Sequence, residues 1–363
     1  EIIYGLKWAI YKLESRDPAP KFFSSGIQIL LKRLTRPDFA KIFRKRNTNN
    51  VTVLRTPKYK FLTDEELQIE KSRANKSAER LLQMPPVVKV HKPVDDVLSR
   101  DPALTGFDSA RFLFTDISFG VDNEHRMIVE REPDGTLRSC DHDVRKRLNQ
   151  IYFPMQGRKI REPLIFENEE TFYSLLERQR YEYVLDRACV QYEPDEPTYH
   201  KLTSITYQHL LIFLRSTRHF GPLVFYLTWH KSMDNLMLEL VQSGAIREAV
   251  LLLALRHAIH SDLASEESNA LVAQAIRFEL DRFFIRLFRH FQILPTPVQL
   301  TKQNNLSEED IQLDTKCIQC VEKYINTNSA MKSQQGLALQ GFREHYQQLV
   351  ELSRGLKKAH GNA

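Results

Sequence analysis

A predominantly helical α+β fold, with a small antiparallel β element in the middle, a helical C-terminal half and an extended basic N-terminal arm, is predicted by three features of the sequence. Glycine is scarce, 12 of 363 residues against a usual share of about 7%. That leaves little material for the glycine-rich loops that cradle phosphates in nucleotide enzymes. Past Glu167, apolar residues recur almost everywhere at helical spacing. One central stretch departs from that rhythm: Arg111–Ser118, Arg126–Glu132 and Thr136–Arg138 are rich in aromatic and β-favouring residues. Hydrophobic residues make up 42% and charged residues 27%, and mean hydropathy is −0.42, a balance that fits a folded soluble chain. The longest candidate apolar run, Ala249 to Leu255, is fenced by Arg247 and Arg256. It falls well short of the roughly 18 residues that span a bilayer, so the chain is read as not membrane-spanning.

Residues 1–60 form the arm. Fourteen basic residues there stand against four acidic ones, a net +10, which leaves −4 for the rest of a chain whose total is +6. Trp8, Phe22, Phe23, Phe39 and Phe43 are interleaved with Lys32, Arg33, Arg36, Arg44, Lys45 and Arg46. Cations that neutralise phosphates, mixed with rings that stack on bases, suit nucleic acid. Residues 21–46, with one acid, several Ser and Thr and an amphipathic run from Ile27 to Leu34, equally have the makeup of a mitochondrial transit segment; a solvated basic tail is the plain alternative. The first residue is Glu1, not Met, so an upstream piece is expected. So polar an arm has no obvious core of its own and is expected to need a partner.

Residues 61–165 are read as a helix followed by the β element. Thr63-Asp64-Glu65-Glu66 is a capping box, and Leu67, Ala74, Ala78 and Leu81 hold a helical stripe until Met84-Pro85-Pro86 ends it. Residues 87–110 read as a surface linker. Glu132-Pro133-Asp134-Gly135 closes a hairpin, because Pro presets φ at the second turn position and Gly commonly follows at the fourth. Three strands are expected, then a helix capped by Ser139 and running to about Tyr152.

Residues 166–363 are read as a helical domain, broken at Glu193-Pro194-Asp195-Glu196-Pro197, at Phe220-Gly221-Pro222, between His260 and Ser265, and at Leu294-Pro295-Thr296-Pro297. In one basic amphipathic helix Phe284, Phe288 and Phe291 share a face, and Arg282, Arg286 and Arg289 repeat the same spacing on another. A solvated Arg face, RNA or acidic protein, and a membrane surface are all open readings.

Catalytic chemistry needs a nucleophile, a tuned acid or base, or a metal cage. The sequence holds no match to P-loop, dinucleotide, nucleophile-elbow or zincin patterns. Cys140, Cys189, Cys317 and Cys320 are too few for a disulfide framework. Cys317 and Cys320 make a C-x-x-C inside a helical pattern opened by Ser307, without the second pair or close His pair that a tetrahedral zinc site needs; two ordinary helical cysteines, a redox pair, and half of a metal site shared with another chain are the readings it leaves. His257 and His260 lack the Glu and third ligand of a metal helix, and Asp141-His142-Asp143 lies in a first helical turn, where acids complement the dipole.

Several strings nevertheless share one order and spacing: Met84-Pro85-Pro86-Val87, Phe114-Thr115-Asp116-Ile117-Ser118, Arg131-Glu132-Pro133-Asp134-Gly135-Thr136-Leu137-Arg138, Tyr152-Phe153-Pro154 with Gly157-Arg158-Lys159-Ile160, Glu193-Pro194-Asp195, and Leu214-Arg215-Ser216-Thr217-Arg218-His219-Phe220-Gly221. Together they resemble the protein-twenty-two family of the mitochondrial small ribosomal subunit, well over residues 57–245 and more loosely beyond. The resemblance implies a structural, non-catalytic ribosomal protein in the mitochondrial matrix that serves mitochondrial translation. It also implies small-subunit rRNA and neighbouring mitochondrial ribosomal proteins as partners, with no cofactor and no small-molecule substrate. Within these strings Arg158, Lys159, Arg161, Arg215 and Arg218 join the arm's six cations as candidate phosphate contacts, since Arg and Lys reach phosphates without reading sequence. For each, an intramolecular salt bridge is the competing role. A mitochondrial RNA-processing or RNA-modifying enzyme, with a dispersed site around His142 or His257, is the rival function; a helical adaptor that binds only proteins is a third.

Overall fold

The computed structural model describes residues 17–43, 61–94, 96–209, 214–260 and 308–359. In chain order its elements are α1 (Ala19–Phe22), α2 (Ser25–Thr35), α3 (Phe39–Ile42), α4 (Asp64–Leu81), β1 (Val97–Arg100), β2 (Phe112–Thr115), β3 (Ile128–Arg131), β4 (Thr136–Ser139), α5 (His142–Tyr152), α6 (Leu164–Glu167), α7 (Glu169–Glu177), α8 (Tyr181–Gln191), α9 (Pro197–His209), α10 (Phe220–Trp229), α11 (Asp234–Gln242), α12 (Ile246–His260), α13 (Glu308–Asn328) and α14 (Lys332–Ala359). The fold is thus helical with one small sheet, as the sequence predicts. By contacts the chain divides into two compact units. The first is built chiefly from residues 87–209; the second joins Ala19–Pro86 to Leu210–Ala363.

The centre of the second unit is α12. Its apolar residues face every direction and nearly all are buried, from Ile246 to Ile259. A helix apolar on all sides must be surrounded, and α2, α10, α11 and α13 pack around it. Helix α2 shows how part of the basic arm comes to be folded. Ile27, Leu30, Leu31 and Leu34 fall at i, i+3, i+4 and i+7, and all four are buried against α10 and α12. Phe22 adds an edge-on ring contact to Phe225, centroids 5.2 Å apart. Burying an apolar side chain of this size contributes about 1.5–3 kcal/mol. The core expected to be missing from the arm is therefore this chain's own: residues 19–43 are helical and packed, whereas Arg44, Lys45 and Arg46 lie outside the described residues.

A buried ion-pair network centred on Asp314 joins helices of this unit. Arg247 of α12, 4% exposed, donates from Nε to Asp314 at 2.6 Å and from a terminal nitrogen to Asp310 at 2.9 Å. The Tyr346 hydroxyl of α14 donates to the other Asp314 oxygen at 2.8 Å. One residue thereby links three helices. The Phe220-Gly221-Pro222 break is the first turn of α10, where Pro lacks only an N–H that would be unsatisfied anyway. A Cβ at Gly221 would sit 1.9 Å from Met84 Sδ, so two of the strings quoted above meet here.

The first unit contains the sheet, with strand order β1-β4-β3-β2 and every pairing antiparallel. The hairpin turn is as predicted: Gly135 takes φ +85° and its N–H bonds to Glu132 O at 3.0 Å, while Asp134 accepts from the Thr136 N–H and hydroxyl at 2.9 Å. A fourth strand, β1, lies in the stretch read as linker. All four of its residues are exposed, so no alternation marked it. Ser139 belongs to β4, and the cap of α5 is Asp141, which accepts from the His142 N–H at 2.9 Å. Thr63 and Glu66 form the predicted capping box of α4.

Candidate nucleic-acid interface

Helix α5 ends at Phe153, and residues 154–163 run to α6. Their course is set by side chains of α5 and α8. Gln191, 1% exposed, accepts from the Lys159 N–H at 3.1 Å and donates to the Lys159 carbonyl at 2.9 Å, imitating a strand partner. Gln150 donates to the same carbonyl at 2.6 Å, and Arg147 donates to Ile160 O at 2.7 Å. Arg187 donates to Gly157 O at 3.1 Å and to Gln191 Oε1 at 3.0 Å. The Tyr192 hydroxyl donates to Glu162 at 2.6 Å. Burial and the Glu162 charge push that phenol well above its ordinary pKa, so it stays a proton donor.

This loop sorts its own cations. Arg158 is turned inward, its guanidinium paired with Glu193 at 2.7 Å. Lys159 and Arg161 are exposed, and among the described residues neither side chain has a partner. Arg147, also exposed, spends one nitrogen on Ile160 O, the carbonyl between them. Arg147, Lys159 and Arg161 thus surround one short stretch of backbone and can be approached by an anion. Arg147 was missed by sequence reasoning, since it is twelve residues away in the Arg145-Lys146-Arg147 run, where only the fold brings it to the loop.

In the second unit, Lys32 and Arg33 occupy the last turn of α2, where cations complement the helix dipole. Neither side chain has a partner among the described residues. Arg36, the left-handed C-cap at φ +50°, forms an ion pair with the buried Glu248 of α12. Arg215 pairs with Glu239 at 2.6 Å. Arg218 also has interactions within the chain. Ser216 seals the end of α2: its N–H donates to Thr35 O at 3.1 Å and its hydroxyl to Arg36 O.

The histidines weighed for catalysis lie on α5 and α12. His260 Nε2 bonds to Thr228 O at 2.8 Å, and His142 stacks on His91 with centroids 4.7 Å apart. Cys317 is buried in α13, and burial pushes its thiol up to about 12. Among the described residues no group of three His, Cys, Asp or Glu is placed to hold a metal ion, and no helix is long and apolar enough to cross a membrane. Ser307 and the Arg282, Arg286 and Arg289 face lie outside the described residues.

A family model described as mitochondrial 28S ribosomal protein S22 matches residues 20–261. The small ribosomal subunit protein mS22 of Mus musculus is 36% identical over 265 residues, covering 71% of this chain and 72% of that protein. Its counterpart in Bos taurus is 35% identical over 266 residues, with the same coverage.

Proposed function

The chain belongs to the mitochondrial 28S ribosomal protein S22 family, and from that premise we propose that Lys159, Arg161 and Arg147 in one unit, and Lys32 and Arg33 in the other, hold rRNA phosphates in the small subunit. As a family member it is a structural component of the mitochondrial ribosome, with rRNA and ribosomal proteins as partners, and not an enzyme. The observation that carries the RNA reading is the loop at 154–163. Its backbone is clamped by the buried Gln191 amide while Lys159 and Arg161 stay unpaired. Cations on a pre-shaped loop meet phosphates with little ordering cost. Arg36, Arg158 and Arg215 are given another role: each neutralises a carboxylate and positions the backbone beside the free cations. Arg44, Lys45 and Arg46 keep their place in the proposal on charge alone.

Each phosphate contact releases counterions, with a slope near −0.7 in log K against log salt for single strands and −0.9 for B-DNA. Changing Arg147, Lys159 and Arg161 to Gln should therefore flatten the slope for small-subunit rRNA fragments by roughly 2 units. Gln191→Leu, which frees the Lys159 backbone, should weaken binding with all three charges still present. An unchanged slope in the triple variant removes this loop from the RNA interface.

A further inference from the structure

Beside the cationic loop, the first unit carries a projection of opposite character. The segment from Asp116 to Arg126 joins β2 to β3 and is firmly held. The Arg126 guanidinium, 5% exposed, lies 3.6 Å from the Phe153 ring centroid and donates to Asp116 O at 2.6 Å and Val121 O at 2.7 Å. Asp116 accepts from the Ser118 N–H at 2.9 Å and the Ser118 hydroxyl at 2.6 Å. Asn149 of α5 donates to Asn123 O at 3.1 Å, and Asn123 donates to Phe153 O at 3.2 Å. A loop with so many fixed points is not a floppy connection. Yet it holds Ile117 at 83% exposure and Phe119 at 106%, with Met127 at 67% close by in the chain. Large apolar side chains displayed on a rigid support mark a binding surface.

Two further observations say what binds. The projection continues from β2, an edge strand. Phe112, Phe114 and Asp116 face β3, as the Asp116 N–H to Met127 O bond at 3.0 Å shows. By alternation Leu113 and Thr115 turn their backbone N–H and C=O groups outward. The charge on the loop itself is acidic: between Asp116 and Arg126 stand Asp116, Asp122 and Glu124 against the buried Arg126, while on the neighbouring strand Glu130 is paired with Arg111 at 3.3 Å and Arg131 lies over the Phe112 and Phe114 rings. Ser118 holds the Asp116 carboxyl below its ordinary pKa, so it stays charged. Carboxylates repel phosphates, so this surface does not fit RNA.

We infer that the β2 edge and its Ile117/Phe119 knob form a docking site for an extended, basic segment of a neighbouring ribosomal protein. The segment pairs with the outward groups of Leu113 and Thr115, sheathes the two apolar side chains and meets Asp122 and Glu124 with Lys or Arg. The inference rests on the ribosomal reading above.

The test is photo-cross-linking in intact mitochondria with p-benzoylphenylalanine at position 119, followed by sedimentation. In the small-subunit fraction the expected product is an adduct with one ribosomal protein, whose cross-linked peptide carries net positive charge by mass spectrometry. An rRNA adduct, a neutral or acidic peptide, or no adduct in that fraction overturns the inference while leaving the ribosomal reading intact. A chain absent from the fraction overturns the ribosomal reading itself. Ile117→Asp with Phe119→Asp should lower incorporation about tenfold, and Asp122→Lys with Glu124→Lys should lower it too. Both double variants should keep the wild-type thermal midpoint, because all four side chains are exposed. Normal incorporation of either one overturns the inference.

Discussion

In the second unit Leu223, Val224, Leu251 and Leu252 are wholly shielded from solvent, whereas in the first Phe107, Ile117 and Phe119 stand almost fully in it. The same chain is stabilised in two ways. Around α12 apolar burial dominates, and the buried Arg247 comes with the carboxylates of Asp310 and Asp314. In the first unit the sheet is small, and much of its order comes from side chains that bond to carbonyls: Arg126, Asn149, Gln150, Arg187 and Gln191. The contrast teaches that a scaffold can spend its apolar residues inward or outward. Loops pinned by polar groups leave apolar and cationic side chains free for partners.

The harshest way to probe this contrast is Arg247→Ala. It leaves Asp314 buried without its cation, and breaking a buried pair from one side costs about 3–5 kcal/mol. Denaturant unfolding of the isolated chain measures it; a loss below about 1 kcal/mol would mean that the three-helix network is dispensable. Next comes Arg126→Ala. Hydrogen bonds from a charged donor are worth roughly 1.5–3 kcal/mol, and here the loss should stay local. Amide exchange should quicken in residues 116–126 and stay unchanged in α12, while exchange spreading to α12 would break the proposed separation of the two modes.

A smaller effect is expected from acid. Burial pushes the Asp195 carboxyl up, but the Lys146 hydrogen bond and charge outweigh it, and the net shift is below the usual 3.8. The pair therefore adds stability above about pH 3.8 that is lost as pH falls through the lowered folded value. The stability difference between wild type and Asp195→Asn should be flat near neutrality and shrink only below that point; a difference that already shrinks between pH 7 and 6 would show that the Lys146–Asp195 pair does not set it. The least change is expected at Cys317. With its thiol pushed up to about 12, alkylation of the folded chain at pH 8 should be slow, and rapid labelling would show that α13 opens readily.

What could be read from the sequence was local. The Thr63 capping box and the Glu132-Pro133-Asp134-Gly135 turn complete their bonds within four residues, so composition and spacing sufficed. Strand β1 escaped because four exposed residues carry no alternating pattern. The helical spacing of Ile27, Leu30, Leu31 and Leu34 was visible, but the surface it packs on comes from α10 and α12, some two hundred residues away. The cations follow the same rule. Glu248, Glu239 and Glu193, the partners of Arg36, Arg215 and Arg158, are chosen by the fold. Nothing in a run of basic residues says that Arg158 is paired while Lys159 beside it is free.

The way α2 is housed also sets a timetable. Its apolar face is finished by α12, which leaves a translating ribosome more than two hundred residues later. At roughly 5–20 residues per second that is a wait of about 10–40 seconds. Residues 87–209 are continuous in sequence, so the sheet and the helices α5–α9 can close while α2 is still waiting. Newly made chains interrupted before α12 should therefore carry a finished first unit and a sticky N-terminal helix, the form in which a chaperone would meet this protein.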